Sequence, residues 1–141
     1  MHNRDVMTLN PRTVTLDDTI QNAARIMRDE DTGAVPVIDN GRPVGMVTDR
    51  DIVVRSIADG GQPSRQIREI VTSAVITATP DMSTREAAQL MSEHQIRRLP
   101  VVEAERLVGI VSLGDIAVKE GKDSRSGDTL QSISEGVKER G

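Results

Sequence analysis

Val44-Gly45-Met46-Val47-Thr48-Asp49-Arg50-Asp51 and Val108-Gly109-Ile110-Val111-Ser112-Leu113-Gly114-Asp115 carry one pattern twice. Each is an apolar, strand-like run that ends in a hydroxyl residue, with an Asp three positions further on where a helical pattern begins. The two copies lie 64 residues apart, as do Pro36 and Pro100. At that offset the halves of the chain align without a gap. Thr8 falls on Thr72, Thr15 on Thr79, Asp17 on Asp81, Met27 on Met91, Arg42 on Arg106 and Asp51-Ile52 on Asp115-Ile116. Roughly a third of the aligned positions are identical, so the chain reads as two copies of one supersecondary unit followed by a tail. The boundaries expected are 1–60 for the first unit, 61–120 for the second and 121–141 for the tail.

Both copies predict the same element order. A short β-prone stretch (Thr13 to Thr15; Val75 to Thr79) precedes a helix. Thr19 and Ser83 are its N-cap candidates, and Ser83 with Glu86 fits a capping box. Ile20, Ala23, Ala24 and Met27 then recur at the spacing of one helical face, as do Ala87, Ala88, Leu90 and Met91. A hairpin follows, with Asn40-Gly41 supplying the positive φ values of a tight turn. Its counterpart at Glu103 to Arg106 has no Gly, which leaves its turn type open. A second helix starts after Thr48 or Ser112. The order β-α-β-β-α, twice, is an α+β fold. One such unit is too small to bury both faces of its sheet. The expectation is therefore two units packed with pseudo-two-fold symmetry, sheet against sheet, helices outside. The breaker cluster Gly60-Gly61-Gln62-Pro63 marks the connection. In the tail, Leu130, Ile133 and Val137 stand at helical spacing behind a possible cap at Asp128.

Composition narrows the function classes. The chain has 141 residues, a net charge of -4, and neither aromatic residues nor cysteine. The charge and the missing base-stacking side chains argue against nucleic acid as a partner. The lack of cysteine excludes disulfides and thiolate metal sites. There is no secretory signal at the N-terminus and no apolar run of the length a bilayer crossing needs. A cytoplasmic protein without membrane contact is the expectation. The core must be aliphatic, with Met filling irregular gaps.

The repeated Thr48-x-x-Asp51 and Ser112-x-x-Asp115 motifs are the one place that looks chemical. They set a hydroxyl and a carboxylate beside the free N–H groups of a helix start, which favour phosphate. A carboxylate with two free oxygens can accept both hydroxyls of a ribose. The same pattern is also a plain capping box, and the two readings are compatible. His94 stands alone near a helix end and reads as a surface histidine. His2 is terminal and expected to be loosely held. Met27 and Met91 read as core. With so few nucleophiles and bases, no catalytic set can be placed.

The repeat, with "GAVPVID…GRPVGMVTDRDIV" and "RRLPVVEAERLVGIVSLGDIA", resembles CBS (cystathionine β-synthase) domains over about Arg4 to Lys119, and in particular small stand-alone bacterial CBS-pair proteins. The resemblance implies a non-catalytic regulatory module with two pseudo-symmetric clefts for AMP, ADP, ATP or NAD, and frequent pairing into a homodimer. Carried over residue by residue, the favoured cleft comprises Thr15, Thr32, Gly33, Arg98, Ile110, Ser112 and Asp115. Ser112, Asp115 and Arg98 would hold phosphate and ribose, and Ile110 would lie near the base. The second cleft comprises Met46, Thr48, Asp51, Thr79, Ile96 and Arg97. It lacks a counterpart of Arg98, because the equivalent residue is Ala34, and Asp49 adds a charge that opposes an anion. The implied role is a sensor acting through a protein partner that the sequence does not identify. The alternative is a structural dimerisation module with vestigial, unoccupied clefts. No catalytic residue and no metal site are expected.

Overall fold

Helix α1 (Ile20–Glu30) begins where the Thr19 hydroxyl accepts the Asn22 N–H at 3.1 Å and ends at Asp31 in the left-handed region. Helix α3 (Thr84–His94) repeats this, with the Ser83 hydroxyl accepting the Glu86 N–H at 3.1 Å and Gln95 closing the helix. The computed structural model describes residues 1–71 and 75–121, so the tail positions Asp128, Leu130, Ile133 and Val137 lie outside the described residues. Helix α1 buries Ile20, Ala23, Ile26 and Met27, and α3 buries Ala87, Ala88 and Met91. Ala24, expected on the buried face, is exposed, and Ile26 is buried in its stead. The larger side chain removes more apolar surface from water, so it fixes the rotation of the helix.

Strands β2 (Ala34–Asp39) and β3 (Arg42–Thr48) pair antiparallel from Ala34↔Thr48 to Asp39↔Arg42, with a bulge between Val37 and Ile38. Asn40 and Gly41 carry φ values of 52° and 81°, as the expected tight turn requires. Strands β4 (Arg98–Glu103) and β5 (Arg106–Ser112) meet through Ala104 and Glu105, whose φ values of 51° and 66° give both central residues the same left-handed conformation without a glycine. Helices α2 (Asp49–Arg55) and α4 (Leu113–Gly121) start directly at the ends of β3 and β5.

The β-prone stretches before α1 and α3 are shorter than their composition suggests. Each contributes one parallel bridge, Val14 to Val37 and Ala78 to Val101. Val14 and Ala78 donate to the Pro36 and Pro100 carbonyls at 3.0 and 2.9 Å and accept the N–H of Ile38 and Val102 at 2.8 Å, and the prolines have no N–H to carry the ladder on to the residues before Val14 and Ala78.

Contacts divide the described chain into two units. The first holds residues 11–71, 75 and 105–107, and the second holds residues 1–10, 76–104 and 108–121. The segment preceding each repeat therefore packs on the body of the other repeat. In the second unit, the N–H of Asn3 donates to the Met82 carbonyl at 2.9 Å and that of Arg4 to Pro80 at 3.1 Å. Strand β1 (Thr8–Leu9) then pairs with β5, Thr8 opposite Ile110 and Leu9 opposite Gly109. Gly109 is needed there, since a Cβ would stand 2.8 Å from the Thr8 carbonyl oxygen. In the first unit, the N–H of Ile67 donates to the Asp18 carbonyl at 2.9 Å and that of Arg68 to Leu16 at 3.1 Å. Arg4 pairs with Asp81, and Arg68 pairs with Asp17. The repeat thus runs upstream of the quoted motif. His2 is held as well, bridging to Ser83 and donating its N–H to Asp5 at 2.9 Å.

Both cores are aliphatic. Val14, Val35, Val37, Val47, Ile67 and Ile70 anchor the first, and Ala78, Met91, Leu99, Val101, Val111 and Ile116 the second. At one equivalent position the units differ: Ile67 is fully buried in the first and Asn3 in the second. Asn3 donates through Nδ2 to the Thr79 carbonyl at 2.9 Å, while its Oδ1 has no partner among the described residues.

Candidate functional site

Each unit builds the same junction. The Asp49 N–H, first of α2, donates to the Gly33 carbonyl at 3.0 Å, and the Leu113 N–H, first of α4, donates to the Arg97 carbonyl at 2.8 Å. These bonds tie the residues ahead of β2 or β4 to the hydroxyl-x-x-Asp motif. In the first unit they gather Thr32, Gly33 and Ala34 with Thr48, Asp49 and Asp51. In the second they gather Ile96, Arg97 and Arg98 with Ser112, Leu113 and Asp115. The residues that the resemblance assigned to the two clefts are therefore distributed so that Thr15, Thr32, Gly33, Met46, Thr48 and Asp51 stand in the first unit, and Thr79, Ile96, Arg97, Arg98, Ile110, Ser112 and Asp115 in the second.

The two motifs are not used alike. In the first unit Thr48 Oγ1 accepts the Asp51 N–H at 3.0 Å, and Asp51 Oδ2 accepts the Thr48 N–H at 3.0 Å, a complete capping box. Arg55 Nε lies 3.9 Å from the other Asp51 oxygen. In the second unit Ser112 Oγ accepts the Asp115 N–H at 3.0 Å. The Asp115 side chain is exposed, and its carboxylate has no hydrogen bond or ion pair among the described residues. Local pattern could not separate cap from ligand group. The structure gives the cap to Asp51 and leaves both Asp115 oxygens available.

The flanking charges differ as well. Arg98 is half-buried and Arg97 exposed, and neither has a partner among the described residues. Ala34, the equivalent of Arg98, is buried and stands opposite Thr48 in the sheet register. The Asp49 carboxylate lies against Gly33, with Oδ2 3.1 Å from where a Cβ would be, and its Oδ1 accepts the Arg50 N–H at 2.8 Å. At the equivalent positions of the second unit, Leu113 is buried and Arg97 projects. The sequence marked Asp49 as an opposing charge. Its position over Gly33 had no signal in one repeat alone and shows only when the two are compared.

The remaining candidates are modest. Thr15 donates its N–H to Asp18 at 2.8 Å, Thr79 Oγ1 accepts the Met82 N–H at 3.2 Å, and the Thr32 hydroxyl reaches the Ala34 carbonyl at 3.2 Å. Met46 and Ile110 are half-buried midway along β3 and β5, offering aliphatic surface. His94 is exposed at the end of α3. Among the described residues no group of three or more His, Asp or Glu side chains is placed to hold a metal ion, and no helix is long and apolar enough to cross a membrane. Chemically, the second junction offers a free carboxylate for vicinal hydroxyls, guanidinium groups for an anion and aliphatic surface for a flat ring.

Comparison with known proteins agrees with the repeat. The family model described as CBS domain matches residues 4–57 and again 67–119. The CBS domain-containing protein YhcV of Bacillus subtilis is 43% identical over 131 residues, 93% of this chain and 94% of that protein. Hypoxic response protein 1 of Mycobacterium tuberculosis is 40% identical over 116 residues, 81% of each chain. A crystal structure of Hypoxic Response Protein I, described with two coordinated zinc ions, has a TM-score of 0.77 and 39% identity over 84% of this chain and 98% of that one. The CBS domain pair of protein MJ0100, solved with 5′-methylthioadenosine and S-adenosylmethionine, has a TM-score of 0.78 and 32% identity over 88% of this chain and 98% of that one.

Proposed function

The chain belongs to the CBS domain family, and from that premise we propose that it is a non-catalytic regulatory module whose second unit takes an adenosine-containing ligand through Asp115, Ser112 and Arg98. The observation that carries this reading is the exposed Asp115 carboxylate, which, like the Arg98 guanidinium of the same unit, has no hydrogen bond or ion pair among the described residues. A carboxylate that serves only as a cap closes the box, as Asp51 does. Asp115 keeps two oxygens for the ribose hydroxyls, Arg98 meets a phosphate, and Ile110 lines the base. The adenosine ligands of the MJ0100 pair, at 32% identity, support the same ligand class here. Thr15, Thr32 and Gly33, and in the second site Met46, Thr48, Asp51, Thr79, Ile96 and Arg97, stay assigned as the family pattern places them. AMP, ADP, ATP and NAD are the ligands to try first. The module acts in the cytoplasm, as a homodimer, through a protein partner that reads its ligand state.

A second reading has its own observation. The closed Thr48–Asp51 box spends that motif on the helix, and Val53, Val54 and Ile57 beyond it are exposed. A dimerisation module with vestigial clefts would look like this in its first unit. One experiment separates the two. The chain contains no aromatic residue, so ultraviolet absorbance of the desalted protein near the adenine maximum reports bound ligand directly, and mass spectrometry identifies it. A transparent protein that gives no heat with AMP, ADP, ATP or NAD in calorimetry would leave only the dimerisation module.

A further inference from the structure

We propose that the turn Asn40-Gly41 is a site of spontaneous covalent modification, in which the Gly41 nitrogen closes on the Asn40 side chain to a succinimide that water opens to isoaspartate and aspartate. The contacts of this turn with residues 105–107 set the rate.

The reaction needs a main-chain N–H free to attack the side-chain amide carbon of the residue before it. The chain has four asparagines, at positions 3, 10, 22 and 40. Asn3 is fully buried, and the N–H that follows it, on Arg4, donates to the Pro80 carbonyl at 3.1 Å. Asn10 precedes Pro11, whose nitrogen carries no proton. Asn22 lies in α1, where the Ala23 N–H donates to the Thr19 carbonyl at 3.2 Å. Of the four, only the Gly41 N–H is present and has no acceptor among the described residues. The Asn40 side chain is exposed and has no partner among them, and Gly41 has no side chain to crowd the attack. The Asp59-Gly60 step lacks this freedom, because the Gly60 N–H donates to Ile57 at 3.0 Å.

The bonds balance as follows. The Gly41 nitrogen gives its proton to solvent and bonds to Asn40 Cγ, and the side-chain nitrogen takes up a proton and leaves as ammonia. Water then cleaves one of the two imide C–N bonds. Cleavage at Cγ leaves aspartate. Cleavage at the main-chain carbonyl leaves isoaspartate, whose main chain runs through Cβ and Cγ. Either product adds a negative charge, and isoaspartate adds a backbone atom to the two-residue turn that joins Asp39 to Arg42.

The folded turn slows this chemistry. A type I′ turn holds ψ of its first central residue near about +30°, which keeps the following nitrogen away from Cγ, so the tip must open before the ring can close. Three contacts within the same compact unit resist opening. The Leu107 N–H donates to the Gly41 carbonyl at 2.9 Å, Arg42 pairs with Glu105 at 2.8 Å, and Arg106 Nη1 stands 2.5 Å from where a Gly41 Cβ would be.

The test ages the full chain in neutral buffer beside a guanidinium-unfolded sample. Peptide mapping by mass spectrometry, with fragmentation that separates isoaspartate from aspartate, reads each asparagine. The expected result in the folded chain is conversion at Asn40 with isoaspartate among the products, while Asn3, Asn10 and Asn22 stay intact. The unfolded chain should convert Asn40 faster. Glu105→Gln removes the ion pair that holds the tip and should accelerate conversion of the folded chain up to about fivefold, the most that an exposed pair contributes. No conversion at Asn40 in the folded chain overturns the proposal, whether or not the unfolded chain reacts. Aspartate without isoaspartate replaces the Gly41 route with direct hydrolysis. Equal rates in folded and unfolded chains, or an unchanged rate in Glu105→Gln, remove the control assigned to residues 105–107.

Discussion

Asp51 donates its N–H to Thr48 Oγ1 and accepts the Thr48 N–H in return, each at 3.0 Å, whereas Asp115 only donates its N–H to Ser112 Oγ and its carboxylate is unpaired among the described residues. One sequence motif thus has a structural copy and a copy with free capacity. Asp51→Ala opens the box and removes a negative charge from the first turn of α2, so it should cost about 1 kcal/mol of stability. Asp115→Ala should cost only about 0.5 kcal/mol, since its exposed carboxylate accepts no hydrogen bond among the described residues and only its charge in the first turn of α4 is lost. Calorimetric affinity for AMP should move the opposite way, with the larger loss in Asp115→Ala. Melting followed by circular dichroism together with AMP titration of both variants checks the pair of statements. Equal binding losses would end the asymmetry.

Arg98 separates phosphate recognition from adenosine recognition. It is the first residue of β4, half-buried and without a partner among the described residues, so its rotamers are free to meet an anion. A charge-assisted hydrogen bond contributes roughly 1.5–3 kcal/mol where it is shielded from water, so Arg98→Ala should weaken AMP about tenfold at this half-exposed position. Adenosine, which has no phosphate, should bind the variant and the parent alike. Arg98→Lys keeps the charge but loses the fork, and should recover part of the AMP affinity. Calorimetry with the two ligands decides it, and a parallel loss of both would make Arg98 a structural residue.

Much of this was legible before any coordinates. The offset of 64 residues fixed the element order, and the caps at Thr19 and Ser83 and the Asn40-Gly41 turn form as the local chemistry requires. What stayed hidden depends on partners distant in the chain. Asn3 and Ile67 carry no periodicity of their own, and their burial follows from packing on the body of the other repeat. The rotation of α1 that buries Ile26 and exposes Ala24 is a competition between two faces, settled by the side chain with more surface to hide. The closed box at Asp51 and the free carboxylate at Asp115 share one pattern, and only the hydrogen bonds tell them apart.

The β4–β5 turn holds stored strain. Ala104 and Glu105 both sit at positive φ, which Asn and Gly tolerate far better. Ala104→Asn with Glu105→Gly copies the first hairpin and should stabilise the chain by about 1–2 kcal/mol. The change gives up the exposed Arg42–Glu105 ion pair at 2.8 Å, which offsets at most about 1 kcal/mol. A net rise in the denaturation midpoint, read by circular dichroism, is the expected outcome. A fall would mean that the ion pair, not the turn, governs this hairpin.

Two isoleucines on either side of Gly60-Gly61-Gln62-Pro63 test how the chain is divided. Ile57 is 62% exposed in the short helical turn after α2, and Ile67 is 0% exposed, in the core that Val14, Val37 and Val47 share. If residues 57–70 served only to connect the repeats, truncating either would matter equally little. Because the segment docks through Ile67 N–H to Asp18 and Arg68 N–H to Leu16, Ile67→Ala leaves a cavity in a packed core and should cost about 2–4 kcal/mol. Ile57→Ala should stay within about 0.5 kcal/mol. Urea unfolding followed by circular dichroism measures both. A small effect at Ile67 would mean that the upstream segment adheres to the body of the first repeat without supporting it, and that the first unit is complete by residue 60.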